Sequence, residues 1–310
     1  MAGHAPMNPP FDIVGLGCAA VDDILYVDQF PRADAKVRVL RRERHGGGLT
    51  STALVAAARL GAKCAYAGTL GLDGDSEFVL ETLAREGVEI SGVRRRKGAG
   101  PVRSVIIVDE KRRTRNVFAD VSAVLGPEAR WPSRAVIESA RVLFLDHFGI
   151  AGNIRAARLA RRAGIAVVSD FEHSGDARFG ELLALVDHPI FSARQAEVLT
   201  GEKHPGRAAV KLWRPDRAVV IVTCGARGAW WVTAAQREPR HFPAFPVQAL
   251  DTTGCGDVFH GAYAAALARG MEVEERIRFA AAAAALKATR HGGQKGIPSR
   301  RVVGPFLRSH

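Results

Sequence analysis

The sequence of 310 residues is poor in cysteine and lacks any long apolar run. Its four cysteines lie far apart without a CxxC pair, which argues against a zinc knuckle and against a disulfide framework. The longest apolar run, residues 279–286, is mostly alanine and falls well short of the ~20 residues that a membrane span needs. The apolar stretch 13–21 has acidic neighbours and no preceding Lys or Arg, so a signal peptide is not expected. We therefore expect a cytoplasmic protein without a membrane partner.

The charged residues are strongly biased towards arginine. The net charge is +12, and 36 Arg stand against 8 Lys. Basic residues are spread along the whole chain, and no zinc-finger, homeodomain or RNP-type pattern accompanies them. We therefore expect no nucleic-acid partner, and assign part of the positive charge to the binding of anionic substrates.

The order of apolar runs predicts an α/β fold. Buried strands are predicted at 11–18, 142–148, 165–171, 189–193 and 218–225. Helical patterns separate the later strands, and two helices at 256–269 and 272–289 approach the end of the chain. Such alternation is typical of a doubly wound, mainly parallel sheet with helices on both faces. Two strand-rich excursions, 24–46 and 101–122, predict a small β-strand lid inserted in a single domain, 1–310.

The most informative motif is a glycine-rich turn that runs directly into an apolar helix, ALDTTGCGDVFHGAYAAALARG at 249–270. Gly254, Cys255 and Gly256 have small side chains, so a ligand can approach their backbone closely. Their N–H groups lie where a helix begins, which favours an anion. Asp257 follows in the first turn, and a base beside a phosphate site suits phosphoryl transfer to a hydroxyl. The alternative is that Asp257 only stabilises the helix N-terminus.

The DTTGCGD motif and four further segments resemble the ribokinase-like (PfkB) carbohydrate kinases. These segments are GLGCAAVDDILYVDQFP, GGGLTSTALVAAARLGAKCAYAGTLGLDGDSEF and VTCGARGAWW, followed by FAAAAAALKATRHGGQKGIPSRRVVGPFL near the end. The similarity covers nearly the whole chain in the correct order. Within the family, the chain looks most like the sulfofructose kinases and their neighbours. This likeness rests on the combination of GGG with AAARLGA, DTTGCGDVFHGA and ALKATRHGG.

The resemblance implies an ATP- and Mg²⁺-dependent sugar kinase and assigns roles to individual residues. Asp257 would be the base, and residues 254–256 the anion hole for the transferred phosphoryl group. Asp22 would hold sugar hydroxyls at the end of the first strand, unless it is a turn or capping residue. The sugar would lie against the backbone of Gly47 and Gly48. The nucleotide turn, for which a plain β-turn is the alternative, would involve Thr223, Gly225 and Gly228.

Three departures from the family pattern affect the expected ligands. Thr52 stands where the family usually has a sugar-binding Asn. The family's NxxE motif, which is linked to Mg²⁺, reads SARQ at 192–195, so Mg²⁺ would rely on phosphate oxygens and water. A K⁺ ion would use Asp251 together with backbone carbonyls near three residues of the flanking loops, Thr253, Lys287 and Gly292.

The remaining candidates concern the substrate and the assembly. His147 follows a predicted strand end and could face the substrate, or be a structural histidine. Lys36 lies where sulfofructose kinases look to hold their substrate's anion, and a solvated lysine is the alternative. Phe118 and Phe148 stand where further sulfonate ligands would be expected. The alternative functions are phosphorylation of a sulfosugar or a nucleoside, and a non-catalytic sugar sensor. A homodimer formed through the lid is expected, since sheet edges tend to be covered.

Cys255 occupies a position where the family commonly has Ala. A thiol at a helix N-terminus would have a lowered pKa and react readily with alkylating reagents. The alternative is that Cys255 is only a small side chain that fills the turn.

Overall fold

A computed structural model of the chain describes residues 9–112, 114–173 and 175–310. The strands are β1 (Phe11–Leu16), β2 (Ala20–Val27), β3 (Arg41–Gly47), β4 (Cys64–Tyr66), β5 (Thr69–Leu70), β6 (Arg94–Arg95), β7 (Val102–Asp109), β8 (Thr114–Asp120), β9 (Ala140–Asp146), β10 (Ala166–Asp170), β11 (His188–Ser192), β12 (Val219–Thr223), β13 (Ala229–Thr233) and β14 (Arg240–Phe242). The helices are α1 (Leu49–Arg59), α2 (Gly74–Arg85), α3 (Arg134–Glu138), α4 (Ile150–Arg162), α5 (Phe179–Leu183), α6 (Ala193–Thr200), α7 (Pro205–Leu212), α8 (Cys255–Ala268), α9 (Val273–Ala288) and α10 (Arg300–Ser309). A short 3₁₀ turn spans Gly225–Arg227.

The main sheet has eight strands in the order β14-β13-β12-β11-β10-β9-β1-β4. Its strands from β12 to β4 are parallel, and β13 and β14 extend one edge antiparallel. One apolar core packs α1, α8 and α9 on one face of this sheet, and a second packs α4 and α7 on the other. The predicted doubly wound α/β fold is therefore confirmed, whereas the two antiparallel edge strands were not predicted.

A second sheet of four strands, in the order β3-β2-β7-β8, is built from the two predicted excursions. We call it the small sheet. Within the predicted excursion 24–46, residues 28–40 form no strand, and β3 begins only at Arg41. Gly46 and Gly47 lie inside β3. The second excursion, 101–122, would turn near 111–113, which lies partly outside the described residues.

Close packing of α8 against α1 fixes where the glycine-rich turn lies. A Cβ atom on Gly261 would run into the backbone of Ala53, so glycine is required at this helix contact. The alanines of α8 and α9 are buried in the same core, which brings both helices close to each other. Small residues along both helices therefore hold the start of α8 at the C-terminal edge of the main sheet.

Candidate active site

Polar residues gather at the edge of the main sheet where its parallel strands end. Asp146 is the last residue of β9 and Asp170 the last residue of β10, and these strands are paired neighbours. Helix α8 begins at the same edge, with Asp257 in its first turn. In open α/β sheets, this edge is where ligands bind.

The glycine-rich turn has the backbone expected of a helix start. Gly254 caps α8 with φ of 76° and ψ of 5°, a left-handed conformation that favours glycine. A Cβ on Gly256 would meet nothing within 4 Å, so this residue borders open space. The N–H of Cys255 donates to the carbonyl of Thr252 at 3.2 Å. The anion-binding donors would therefore come from the following residues of the first turn, rather than from Cys255.

Asp257 is paired with a second buried carboxyl group. A hydrogen bond links the side chains of Asp170 and Asp257, and Asp170 is 5% exposed. Burial, followed by the charges of Asp170 and Glu172, raises the pKa of Asp257 well above its usual value. Burial and Glu172 likewise raise the pKa of Asp170. Two carboxyl groups this close hold one proton between them.

The surroundings of the pair act on its proton in opposite directions. Asp257 lies at the positive end of α8, which favours its ionised form, and Asp170 is the more deeply buried of the two. The hydrogen bond from Asp257, in contrast, lowers the pKa of Asp170. The two carboxyl groups therefore share the proton, and Asp257 can accept a proton whenever Asp170 carries the shared one.

His260, one turn further along α8, completes this cluster. Its Nδ1 lies 2.7 Å from the carbonyl oxygen of Gly256 and 3.4 Å from Oδ2 of Asp170. Its Nε2 lies 3.2 Å from the carbonyl oxygen of Ile190. The ring is 4% exposed, and burial lowers its pKa. Sequence reasoning missed both Asp170 and His260, although Asp170 ends a predicted strand and His260 follows the motif directly.

Asp146 supports the loop behind the pair. Its side chain accepts hydrogen bonds from the N–H of Cys18, the hydroxyl of Thr50 and the N–H of Phe148, each at 2.8 Å. Burial nevertheless raises its pKa to about 6. Thr50 belongs to α1 and Cys18 to the chain between β1 and β2, so Asp146 connects three segments that border the site.

Asp22 lies on β2 in the small sheet, not at the end of the first strand as predicted. The prediction failed because β1 already ends at Leu16, and a new strand begins at Ala20. Burial raises the pKa of Asp22, while a hydrogen bond with Ser104 and the charge of His45 oppose the rise. The charge of Asp22 also raises the pKa of Asp257, so the two carboxyl groups are close enough to repel each other.

Gly47 and Gly48 pack against the start of β2. A Cβ on Gly47 would run into the Asp22 carboxylate, and one on Gly48 would lie 2.7 Å from the backbone of Ala19 and Ala20. Gly48 also has φ of 95° and caps α1. Gly48 is therefore required by the contact between α1 and the small sheet, whereas a Cβ on Gly47 would displace only the Asp22 side chain. The contact of both glycines with a sugar stays a prediction.

Thr52 has a partner that the sequence did not indicate. Its hydroxyl accepts a hydrogen bond from Nε2 of Gln294 at 3.2 Å, and its methyl group would lie 3.7 Å from a Cβ on Gly254. Gln294 is 6% exposed, and its Oε1 has no hydrogen-bond partner in the described part of the chain. The side-chain amide of Gln294, from the loop between α9 and α10, therefore lies beside position 52, where the family usually has Asn. No local motif marks Gln294, so this contact is visible only in the fold.

His147 and Lys36 have contrasting surroundings. His147 follows β9, and its ring lies 4.3 Å from that of Phe148 and 5.3 Å from that of His173. Its Nδ1 is buried without a partner among the described residues, and burial lowers the pKa of His147 to about 4. Lys36 is exposed in the irregular segment 28–40. His147 therefore borders the sheet edge as predicted, whereas Lys36 does not lie on a strand.

The nucleotide-side residues form a tight connection between β12 and β13. Thr223 ends β12, and its hydroxyl donates to the carbonyl of Phe191 at 3.3 Å. Gly225 and Gly228 have φ of 57° and 85°. A Cβ on Gly228 would run into the carbonyl of Phe242 on β14. The turn explains these glycines by itself, and nucleotide contact stays a prediction.

The SARQ segment offers no carboxylate to a metal ion. Ser192 caps α6 by accepting the N–H of Gln195 at 3.2 Å. Gln195 is 6% exposed, and within residues 9–112, 114–173 and 175–310 its Nε2 has no hydrogen-bond partner. An amide N–H can donate to a phosphate oxygen but cannot bind Mg²⁺. Within 9–112, 114–173 and 175–310, no cluster of three or more His, Cys, Asp or Glu is placed to hold a metal ion.

Asp251 begins the loop that leads to the glycine-rich turn. It accepts the N–H of Thr253 and the N–H of Gly292, each at 2.8 Å. Burial opposes ionisation, but the bonds from Thr253, the Lys287 ammonium and the bond from Gly292 lower the pKa of Asp251. Gly292 has φ of 82°. Lys287 contributes its side chain to this loop, whereas its backbone carbonyl was the predicted ligand.

The hypothesis of a reactive, low-pKa thiol at Cys255 is wrong. Burial raises its pKa to about 11, and the charges of Asp251 and Asp257 act in the same direction. The Lys287 ammonium opposes this rise without cancelling it. Cys255 therefore remains a thiol near neutral pH, in agreement with the small-side-chain alternative.

Comparison with known proteins identifies the family. Residues 11–300 match the model of the pfkB family carbohydrate kinases. A ribokinase of Haemophilus influenzae is 29% identical over 299 residues, which cover 94% of this chain and 97% of that protein. These relatives support the family and do not single out sulfofructose kinases within it.

Solved structures show the same fold. A ribokinase from Thermotoga maritima has a TM-score of 0.84 at 27% identity, covering 96% of this chain and 99% of that chain. An Arabidopsis thaliana ribokinase complexed with ribose and ATP has a TM-score of 0.85 at 24% identity, covering 97% and 99%. None of the helices in the part of the chain described here is long and apolar enough to span a membrane. The chain belongs to the pfkB family of carbohydrate kinases and is an ATP-dependent phosphotransferase.

Proposed function

We propose that this kinase transfers the γ-phosphate of ATP to a hydroxyl group of a sugar or sugar derivative, with Asp257 as the base. The observation that carries the proposal is the position of Asp257. It lies in the first turn of α8, beside the glycine-rich turn, and it shares a hydrogen bond with the more buried Asp170. A base within a turn of an anion site is the arrangement that phosphoryl transfer needs.

The proton would move from the acceptor hydroxyl to Asp257 as the oxygen attacks the γ-phosphorus. The bond from the γ-phosphorus to the bridging oxygen breaks, and ADP leaves. Backbone N–H groups of the α8 first turn and the helix dipole stabilise the charge on the transferred group. Asp170 shares the proton of the pair and positions Asp257, and His260 lies beside Asp170 at the back of the pair.

ATP would lie along the C-terminal ends of the later strands, near Thr223, Gly225 and Gly228. Mg²⁺ would arrive with ATP as part of the substrate, bound to phosphate oxygens and water. Gln195 supports this arrangement, because its buried and unpartnered N–H group can donate to a phosphate oxygen. Because the SARQ segment has no carboxylate, the phosphate oxygens would be the main ligands of Mg²⁺.

The sugar would bind between the small sheet and the edge of the main sheet. Asp22 on the small sheet and Asp257 on α8 are close enough to repel each other, and their carboxylates suit sugar hydroxyl groups. Gln294 lies beside Thr52, and its side-chain amide would replace the sugar-binding Asn that the family usually has at position 52. His147 and the backbone of Gly47 and Gly48 would border the same pocket. Closure of the small sheet would exclude water, which competes as an acceptor.

A neutral sugar fits this cleft better than a sulfosugar. The arginines of the small sheet already bind carboxylates: Arg44 lies 2.6 Å from Asp75, and Arg103 lies 2.9 Å from Asp73. Lys36 is exposed in an irregular segment. An anionic group on the substrate would therefore find few unpaired cations beside Asp22. Ribose is the first acceptor to test, because the relatives carry the name ribokinase.

The decisive experiment is a panel of acceptors with ATP, in which ADP and the phosphorylated product are both measured. The panel contains pentoses, ketohexoses, sulfofructose and nucleosides. Saturable turnover of a neutral sugar supports the proposal, whereas a strong preference for sulfofructose or a nucleoside would replace the acceptor. Sugar binding without turnover of any acceptor would favour a non-catalytic sensor, for which the SARQ segment is the main argument.

We further propose a cytoplasmic homodimer formed through the small sheet. Every residue of β8 is exposed, and the apolar side chains Val105, Phe118 and Val121 are 42%, 54% and 54% exposed. An unpaired edge strand with apolar residues favours association. Light scattering should give twice the chain mass for the wild type and a lower mass for Phe118→Arg. A monomeric wild type at working concentration contradicts the dimer.

A further inference from the structure

Lys287 is the most deeply buried cationic side chain among the described residues, with 0% exposure. It lies in the last turn of α9, and its ammonium group donates to the backbone carbonyl of Asp251 at 2.8 Å. A second, longer hydrogen bond reaches the carbonyl of Arg290 at 3.3 Å. The Asp251 carboxylate Oδ2 lies 3.9 Å away. A buried ammonium thus lies among two carbonyl oxygens and one carboxylate oxygen.

The loops around this ammonium are closed by further hydrogen bonds. Asp251 holds the N–H groups of Thr253 and Gly292, and the N–H groups of Leu250 and Asp251 donate to Ala288 at 2.7 and 3.1 Å. The lysine stem is also confined, because a Cβ on Gly296 would lie 3.2 Å from its Cε. The ammonium therefore fills the centre of the loop pair 251–253 and 288–296.

The oxygen atoms around Lys287 form a set that would also suit a monovalent cation. Hard cations prefer carbonyl and carboxylate oxygens, and an ammonium group carries the same single charge. Asp251 and the carbonyls of these loops were the expected K⁺ ligands. A K⁺ ion at the same place would meet the Lys287 charge at contact distance, and the two like charges would repel each other. The residues present therefore do not fit an additional K⁺ ion.

We infer that the Lys287 ammonium is a built-in replacement for the K⁺ ion, so that this kinase needs no monovalent cation. Lys287 acts as a positioning residue. It fixes Asp251, Asp251 fixes the N–H of Thr253, and Thr253 leads into the glycine-rich turn and Asp257. The activity measurements that follow rest on the proposed kinase function, whereas the melting measurements do not.

The first test uses the wild-type protein in K⁺-free buffer, with tetramethylammonium chloride keeping the ionic strength constant. Adding K⁺ up to about 100 mM should change kcat and the KM for ATP by less than about twofold, and should give no saturable rise in melting temperature. Saturable activation by K⁺, or a saturable rise in melting temperature, would overturn the inference.

The second test removes the built-in cation. Lys287→Ala should lose at least about tenfold in kcat without K⁺, because the turn before Asp257 loses its support. K⁺ or NH₄⁺ should restore part of this loss and raise the melting temperature of the variant, whereas Li⁺ should not. Full activity of this variant without added cation would contradict the role of Lys287.

Two further variants serve as controls. One tests the volume of the Lys287 side chain without its charge, and the other tests the loss of a different lysine that donates to a backbone carbonyl. Lys287→Met keeps a long side chain without charge, and it should lose activity that K⁺ does not restore. Lys211→Ala is the matched control, since exposed Lys211 also donates to a backbone carbonyl, that of Thr200 at 2.7 Å. It should behave as the wild type at every K⁺ concentration. If Lys287→Ala fails to fold, the wild-type K⁺ titration still decides the question.

Discussion

The loop 251–257 carries an aspartate at each end, and the two carboxyl groups lie in opposite surroundings. Asp251 binds two backbone N–H groups and lies near the Lys287 ammonium, so its pKa is lowered despite burial. Asp257 is paired with Asp170, and burial and nearby carboxylates raise its pKa. The same residue type, six positions apart, thus serves two purposes. One aspartate stays ionised and holds the loop, and the other is able to exchange a proton.

The largest expected effect tests Asp257, the aspartate that exchanges a proton. Asp257→Asn should lower kcat by about 10² to 10⁴, the usual contribution of a positioned acid–base group, and leave ATP binding nearly unchanged. Steady-state kinetics and ATP titration measure both quantities. Glu172→Gln is the control, because Glu172 is exposed and acts on Asp257 only through its charge. Near wild-type turnover of Asp257→Asn would show that another group is the base.

The next effect tests whether Asp22, on the small sheet, binds the sugar. Asp22→Ala should raise the KM for the sugar by about tenfold or more, and the KM for ATP much less, because each charge-assisted hydrogen bond contributes ~1.5–3 kcal/mol. Initial rates over a grid of sugar and ATP concentrations separate the two constants. Unchanged Michaelis constants would make Asp22 a structural residue that only packs against Gly47.

A smaller effect tests the pairing of Asp257 with Asp170. Asp170→Asn removes a neighbouring acid, so the pKa of Asp257 should fall and the acidic limb of kcat/KM should move to lower pH. The plateau rate should change by less than about tenfold, because an Asn amide can still donate to Asp257. The pH profile of kcat/KM tests this directly, and an unmoved acidic limb would contradict the coupling.

The same variant has a stability consequence. The pKa of Asp170 is raised in the folded state, so this group favours folding at low pH and opposes it as pH rises through the folded pKa. Asp170→Asn should therefore melt at a higher temperature than the wild type at neutral pH, by a few degrees. The gain should shrink as the pH falls below about 4, because the unfolded wild type then takes up the proton that the folded state already carries.

The sequence predicts the local parts of this site and misses the parts made by tertiary contacts. The start of α8 was predicted because a glycine turn and an alanine-rich helix are local signals. The partners of Asp257 and Thr52, namely Asp170 and Gln294, come from distant segments that only the fold brings together. The position of Asp22 was misjudged for a related reason, since the change from main sheet to small sheet leaves no clear pattern between Leu16 and Ala20.

The smallest expected effect concerns Cys255, which lies between the two aspartates and feels the charge of both. Because burial and these charges raise its pKa to about 11, alkylation at neutral pH should be no faster than that of an ordinary exposed thiol. Cys255→Ala should keep kcat and KM within about twofold, since small-side-chain exchanges away from the core change little. Peptide mapping after timed treatment with iodoacetamide gives the rate at Cys255, with half-buried Cys224 as the internal reference. Rapid modification that ATP prevents would show that the Lys287 charge outweighs the two aspartates, and that Asp251 and Asp257 lie in less contrasting surroundings.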